Sequence, residues 1–366
     1  LRKQKRLAAL AAMAVLVGVV SAPVSAGAAE SRTYEIHPGA DLSSAPGFIG
    51  RFFPSTLNVH VGDVLHFTTP EVMLLPQHRQ EPDDGMDAFI IRTESGWKFN
   101  FELFEGTLPE EGCGTTAANA CVYDGSQYIL APDPEATGVE YEDGLYVKVA
   151  GGLNNKTFFA SNLMTRFRVN VDNSKPQSPA VDPTAAAKIA GLNEDALALH
   201  RKLNNRQTFH RNANGKKVWD AYAGFETRDI SLFAMYPKRL TIRKGQRVQW
   251  HFSQQNFEPH TVSISAQKAA AMADKVFEQI FGPGGDGTIP THFMEATGNG
   301  RYEGLSSPLE HSGLRGDKNA YTDDAYNLRF TAKSPRSGFD YMCVLHAGVT
   351  PQGRAVGMVG KVVVTD

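Results

Sequence analysis

Two stretches of this chain match at a fixed offset. "FFPSTLNVHVGDVLHF" runs from residue 52 to 67, and "MYPKRLTIRKGQRVQW" from 235 to 250. Pro54 falls on Pro237, Leu57 on Leu240, Val59 on Ile242 and Gly62 on Gly245, a shift of 183 residues each time. Both stretches alternate apolar and polar residues, the period of a half-buried strand, and both break at a Gly-containing turn. A chain built from two copies of a strand–turn–strand unit is predicted to be all-β, with two sandwich domains that each bury a core. The size agrees. At 366 residues, 42% hydrophobic and 21% charged, the chain has the length for two cores and the composition of a folded protein.

The rest of the chain sorts around the repeat. "LRKQKR" followed by "LAALAAMAVLVGVV" and "SAPVSA" reads as a basic, then apolar, then small-residue secretory signal over residues 1–26. The first copy is placed at 29–172. "DNSKPQSPAVDP" (172–183) is a Pro- and Ser-rich linker, and the Ala- and Leu-rich run at 184–205 predicts a short helix within a linking segment, 173–220. The second copy is placed at 221–366, with a further helix expected in "AQKAAAMADKVFEQIF" (266–281). No later run is long and apolar enough for a membrane span. Loss of Arg2, Lys3, Lys5 and Arg6 with the signal takes the formal charge from −2 to −6. With no basic stripe, nucleic acid is excluded as a partner class.

The chain has three cysteines. Cys113 and Cys121, in the Gly-rich "EGCGTTAANACVYDG", can close a short disulfide loop, as thiols of exported proteins tend to. Cys343 is left over, and an odd cysteine in such a protein is a reactive thiol, an intermolecular bridge or a metal ligand. It lies in "YMCVLH", three residues before His346, with Met358 downstream in "GMVGKVVV" and His260 upstream in "EPHTVSI". Two imidazoles, one thiolate and one thioether are the donor set of a blue-copper electron-transfer site. Singly, each residue has an ordinary reading: a surface histidine, a buried cysteine, a core methionine. The combination and its spacing carry the inference.

These segments, with "MYPKRLTIRKGQRVQWHF" as an opening strand pair, resemble the plastocyanin/azurin class of cupredoxins over roughly residues 225–366. Residues 33–172 match only in outline. The resemblance implies Greek-key β-sandwich domains and one type 1 copper held by His260, Cys343, His346 and Met358. One departure stands out: eleven residues, "AGVTPQGRAVG", separate His346 from Met358, where that family has a few. At the same offset, Gln77, Ala160 and Leu163 stand where the second copy has His260, Cys343 and His346, so the first copy is expected to lack the metal.

The expected function is an exported, periplasmic or extracellular electron carrier that cycles copper between Cu(I) and Cu(II) and meets a redox partner protein. Copper storage or delivery is the alternative. A two-domain copper oxidase or reductase is less favoured, because the chain has no His-x-His pair and Cys343 is flanked by Met342 and Val344. By the resemblance, the segment after His346 (Ala347, Val349, Pro351, Ala355, Val356, with Arg354 as its only charge) is expected to form an apolar docking face.

Overall fold

The alternation seen in the sequence is the alternation of burial. In Thr56–Val59, Leu57 and Val59 are buried; in Arg239–Arg243, Leu240 and Ile242 are buried between exposed neighbours. A strand turns successive side chains to opposite faces, so each such run commits one face to a core. The computed structural model describes residues 31–69, 73–75, 90–94, 96–99, 108–127, 129–131, 138–161, 165–253, 255–317 and 325–366. The signal segment, Gln77, His78 and Leu163 lie outside these residues.

Among the described residues, the strands of the first copy that recur in the second are β1 (Thr33–Ile36), β2 (Gly47–Ile49), β3 (Thr56–Val59), β4 (Val64–Phe67), β5 (Met73–Leu75), β6 (Cys121–Tyr123), β7 (Ile129–Leu130), β8 (Leu145–Val149), β9 (Lys156–Ser161) and β10 (Arg166–Val171). Their counterparts in the second are β11 (Lys217–Glu226), β12 (Ile230–Tyr236), β13 (Arg239–Arg243), β14 (Arg247–His251), β15 (Ser263–Ile264), β16 (Arg301–Tyr302), β17 (Glu310–His311), β18 (Ala325–Phe330), β19 (Phe339–Val349) and β20 (Ala355–Thr365). The first copy has the sheet orders β1-β4-β8-β6 and β3-β10-β9-β5-β7; the second has β11-β14-β18-β16, within a sheet that continues from β11 through β12 to β2, and β13-β20-β19-β15-β17. Adding ten to each label converts one copy into the other. The sense of pairing matches too: β3 is parallel to β10 as β13 is to β20, and β9 is antiparallel to β10 as β19 is to β20. The fold is mostly β, and the duplication read from a short match extends through these paired sheets of the described residues.

Each copy fills its own core. Tyr34, Phe52, Phe67, Tyr123, Phe158 and Phe167 are buried in the first, and Trp250, Tyr302, Phe330, Phe339 and Tyr341 in the second. Burying one such side chain contributes on the order of 2 kcal/mol, so several aromatics per core weigh heavily against chain entropy. The Cys113–Cys121 disulfide closes the loop before β6, as expected.

The copies are joined through equivalent strands. β2 pairs with β12 antiparallel, with Phe48 opposite Ser231, and Ser231 is Phe48's own equivalent at the offset of 183. The flanking hydrogen bonds repeat the symmetry: Gly50 N–H donates to the Asp229 carbonyl (3.1 Å), and Phe233 N–H to the Pro46 carbonyl (3.0 Å). This is the self-complementary contact of a two-fold axis, here within one chain. The helix of the linking segment, α1 (Ala185–Asn205), covers this joint. Ala185 and Ala196 pack with Ile49, Phe53, Ile230, Leu232 and Tyr236. The 21 residues of α1 fill nearly the whole of the run, 184–205, in which the sequence implied a helix. The hairpin Ile90–Thr93/Gly96–Phe99 also crosses over, pairing with Thr288–Ile289. Arg32–Asp366 therefore forms one unit.

The expected inserted helix is α2 (Ala266–Phe281), followed by the short α3 (Thr291–Met294). Ala266, Ala269, Ala273, Val276 and Ile280 make its buried stripe, at the spacing of a core-facing helix. Among the described residues no helix is long and apolar enough to cross a membrane.

Candidate metal centre

Strand alternation sets up the centre. On β19, Tyr341 and Cys343 face the core of the second copy, while Met342 and Val344 face α2. The strand that carries the thiol is thus packed on both sides, and Cys343 is fully buried. The irregular strand Gln255–His260, just ahead of β15, which pairs with β19, brings in His260, also fully buried.

The third and fourth residues come from a break in the ladder. β19 pairs with β20 at Met342↔Val359 and next at Ala347↔Gly357. Four residues, Cys343 to His346, therefore stand against one, Met358. Such bulges bend a strand and re-aim its side chains, and they are frequent beside active sites. Met358 is buried in the same core cluster as Cys343. The eleven-residue separation is accounted for as well. Ala347–Val349 pairs with Ala355–Gly357, and a turn at Thr350–Arg354 closes the arm. The extra length leaves the site as one strand and returns as the next.

His260, Cys343 and His346 converge, their donor atoms lying within 4.8 Å of one another. The two Nδ1 atoms are 3.2 Å apart, and Cys343 Sγ lies 3.4 Å from His346 Nδ1 and 3.9 Å from His260 Nδ1. The opposite edge of the His260 ring is closed off by Gly224: a Cβ there would fall 2.3 Å from Nε2. His346 is half-buried and stacks on Phe233, with ring centroids 4.8 Å apart at 16°. Thr261 ties the thiol segment down twice. Its N–H donates to Cys343 Sγ (3.3 Å) and its Oγ1 accepts from Val344 N–H (2.9 Å). Burial pushes the Cys343 thiol up, but hydrogen bonds and charge from His260 and His346 outweigh it and hold the thiol well below its ordinary range. A thiolate in an otherwise apolar core needs such partners.

This donor set fits copper. Two imidazole nitrogens and a thiolate sulfur meet at one point, with a buried thioether against the same bulge, and that mix of soft and borderline donors is the one copper takes in both its oxidation states. The first copy differs where it is described. Ala160, at Cys343's place, is buried in a regular stretch of β9 that pairs through Ser161↔Arg166 with no bulge. β9 also pairs Ala160 with Leu74, whereas Met342 and Tyr341 on β19 pair with Ser263 and Ile264. The ladder thus equates Leu74 with Val262, an offset of 188. By count along the sequence, His260 then corresponds to Val72, itself outside the described residues, and not to Gln77.

The residues expected to form an apolar docking face after His346 divide between partly buried and exposed positions. Ala347, Val349 and Ala355 pack toward α2; Pro351 and Arg354, at the tip of the arm, are exposed, as is Val356. The sequence reading also missed Gly224, Thr261 and Phe233. A lone Gly in the strand-like "AYAGFE" is a signal of close backbone approach, and Thr261 directly follows His260, but nothing in the sequence marks Phe233.

No protein-family profile matches the chain, and no curated protein matches it. Among solved structures, the chain is similar to a copper-containing nitrite reductase from Thermus scotoductus SA-01, at 11% identity and a TM-score of 0.20, covering 92% of this chain and 68% of that one.

Proposed function

We propose that the chain is an exported electron-transfer protein of the cupredoxin kind, with a single type 1 copper held by His260, Cys343, His346 and Met358. The observation that carries this is the convergence of His260, Cys343 and His346 on one buried point. Bound there, copper would supply a one-electron Cu(I)/Cu(II) couple. The residues around it restrain movement. Thr261 fixes the thiol segment, Gly224 walls in the His260 ring and Phe233 holds the His346 face, so little has to rearrange when an electron moves. His346 is the donor residue nearest solvent, and a redox partner protein would exchange electrons on its side.

Burial favours this reading over storage or delivery, which needs a site that opens readily. The oxidoreductase reading is separated by experiment. The purified full chain is expected to carry one copper, to be blue when oxidised, and to cycle reversibly without reducing nitrite or oxygen. Cys343→Ser, which replaces a soft sulfur with a hydroxyl, is expected to abolish the colour while the fold survives. A Cys343→Ser protein that stayed blue would remove the ligand assignment; turnover of nitrite or oxygen would move the protein to the enzymes.

A further inference from the structure

The metal-binding residues come from the second copy, but the aromatic shell around them extends into the first. Phe233, on β12, lies face to face with His346 and edge-on to His260, its ring centroid 6.0 Å from that of His260. Phe48, on β2 of the first copy, meets Phe233 edge-on at 5.3 Å and 66°. The two strands pair directly at Phe48↔Ser231, and Phe233 is two residues beyond Ser231, on the same face. A contact that begins on the two-fold joint therefore reaches the half-buried imidazole in two steps.

We infer that Phe233 is a positioning residue for the metal centre, and that Phe48 acts through it, so that the first copy tunes the site it does not itself contain. This inference rests on the copper reading above. The stacked ring does two things. It restricts rotation of His346. It also covers the most exposed of the four donors with an apolar surface and keeps water off it. A reduced centre of one thiolate and a singly charged ion is neutral overall, whereas the oxidised centre carries net positive charge. Excluding water disfavours the charged form, so the cover raises the reduction potential.

The test is a double-mutant cycle on the copper-loaded full chain, read as reduction potential and visible spectrum. Phe233→Ala is expected to keep copper, lower the potential and broaden or shift the visible band. Phe233→Tyr, which retains the stacked ring, should restore both. Phe48→Ala should shift the potential the same way by less, and should add nothing in a Phe233→Ala background, because its effect passes through Phe233. A potential and spectrum that ignore Phe233→Ala would overturn the inference. So would a Phe48→Ala shift of equal size in both backgrounds.

A second readout does not need the metal. In the metal-free chain, alkylation of the Cys343 thiol by iodoacetamide should be slow, and several-fold faster in Phe233→Ala. If the wild-type chain takes up no copper, the copper reading fails; equal alkylation of the two metal-free proteins counts against the role of Phe233 itself.

Discussion

The backbone of Gly224 lies against the ring of His260. A Cβ built on Gly224 would sit 2.3 Å from Nε2 and 2.5 Å from Cδ2, and the residue has a φ of +72° at a bulge between Ala223 and Phe225. Both conditions exclude a side chain: there is no room, and the left-handed backbone is one that only glycine adopts without cost. The contact also decides which edge of His260 is available. With Nε2 walled in, Nδ1 faces Cys343 and His346.

Gly224→Ala is accordingly expected to act on the site and not only on stability. Strain at this φ costs about 1–3 kcal/mol, and the displaced His260 ring should weaken copper binding. The check is a copper titration beside a denaturant unfolding curve. A variant destabilised but with unchanged copper affinity would show that His260 does not depend on this wall.

Thr261 makes a different kind of claim. Its hydroxyl is the acceptor for the buried Val344 N–H, directly after the thiol, and Thr261 is itself fully buried. Thr261→Val keeps the shape and the N–H that points at Cys343 Sγ, but strands the Val344 donor. Leaving a buried donor unpaired costs roughly 1–3 kcal/mol. The variant is expected to unfold at lower denaturant and to retain copper with an altered visible band. Thermal and spectral measurements on one preparation would separate the two effects, and an unchanged band would confine Thr261 to a structural role.

The sequence reveals the parts of this protein that are local or periodic. The repeat, the alternating strands, α2 with its Ala-rich stripe, the disulfide and the cluster of His260, Cys343 and His346 all follow from residue types at short or regular spacings. What it hides depends on register. The offset of 183 holds for the opening strands but becomes 188 at β5 and β15, because the connections differ in length, and no periodicity signals that slip. The pairing of β2 with β12 is hidden for a similar reason. Gly47–Ile49 is too short and mixed to read as a strand, and its partner lies 183 residues away. Nor does the sequence tell that, of the apolar residues after His346, Ala347, Val349 and Ala355 are partly buried by packing toward α2 while Pro351 and Val356 stay exposed.

Met358 shows how register settles a doubt that spacing raised. Eleven intervening residues would be a long loop, yet the paired arm returns Gly357 to a position opposite Ala347, and Met358 then faces the bulge alone. As a weak axial donor, a thioether tunes potential more than affinity. Met358→Leu is expected to keep copper and to raise the potential, since the oxidised state loses a donor. Deleting the turn Thr350–Arg354 and joining the arm's strands directly should change neither, because the bulge lies beyond the arm. Voltammetry on both variants tests the pair. A potential that ignores Met358→Leu places the axial donor elsewhere.

The last prediction concerns acid stability and a buried group outside the metal centre. His311, on β17, is fully buried. Its Nε2 lies 3.1 Å from the Phe293 carbonyl, which can only accept, so the proton is on Nε2; Nδ1, 2.7 Å from Ser263 Oγ, then accepts from that hydroxyl. The neutral ring is satisfied on both sides, and burial pushes its pKa down to about 4, with the positive charges of His292 and Arg315 adding to the effect. In the unfolded chain the same ring titrates near its ordinary value of about 6.5. The neutral form is thus favoured by folding, and the stabilisation is complete above that value. As pH falls through the window between about 6.5 and about 4, the unfolded state binds a proton that the folded state refuses, and stability falls. The full loss is on the order of 3 kcal/mol. His311→Asn cannot titrate there. Its unfolding midpoint should start lower near neutral pH, for want of one hydrogen bond, and then fall less steeply than the wild type's as acid is added. Denaturant curves for the two metal-free proteins across that window give the answer: parallel pH profiles would mean that His311 is not the group that senses acid.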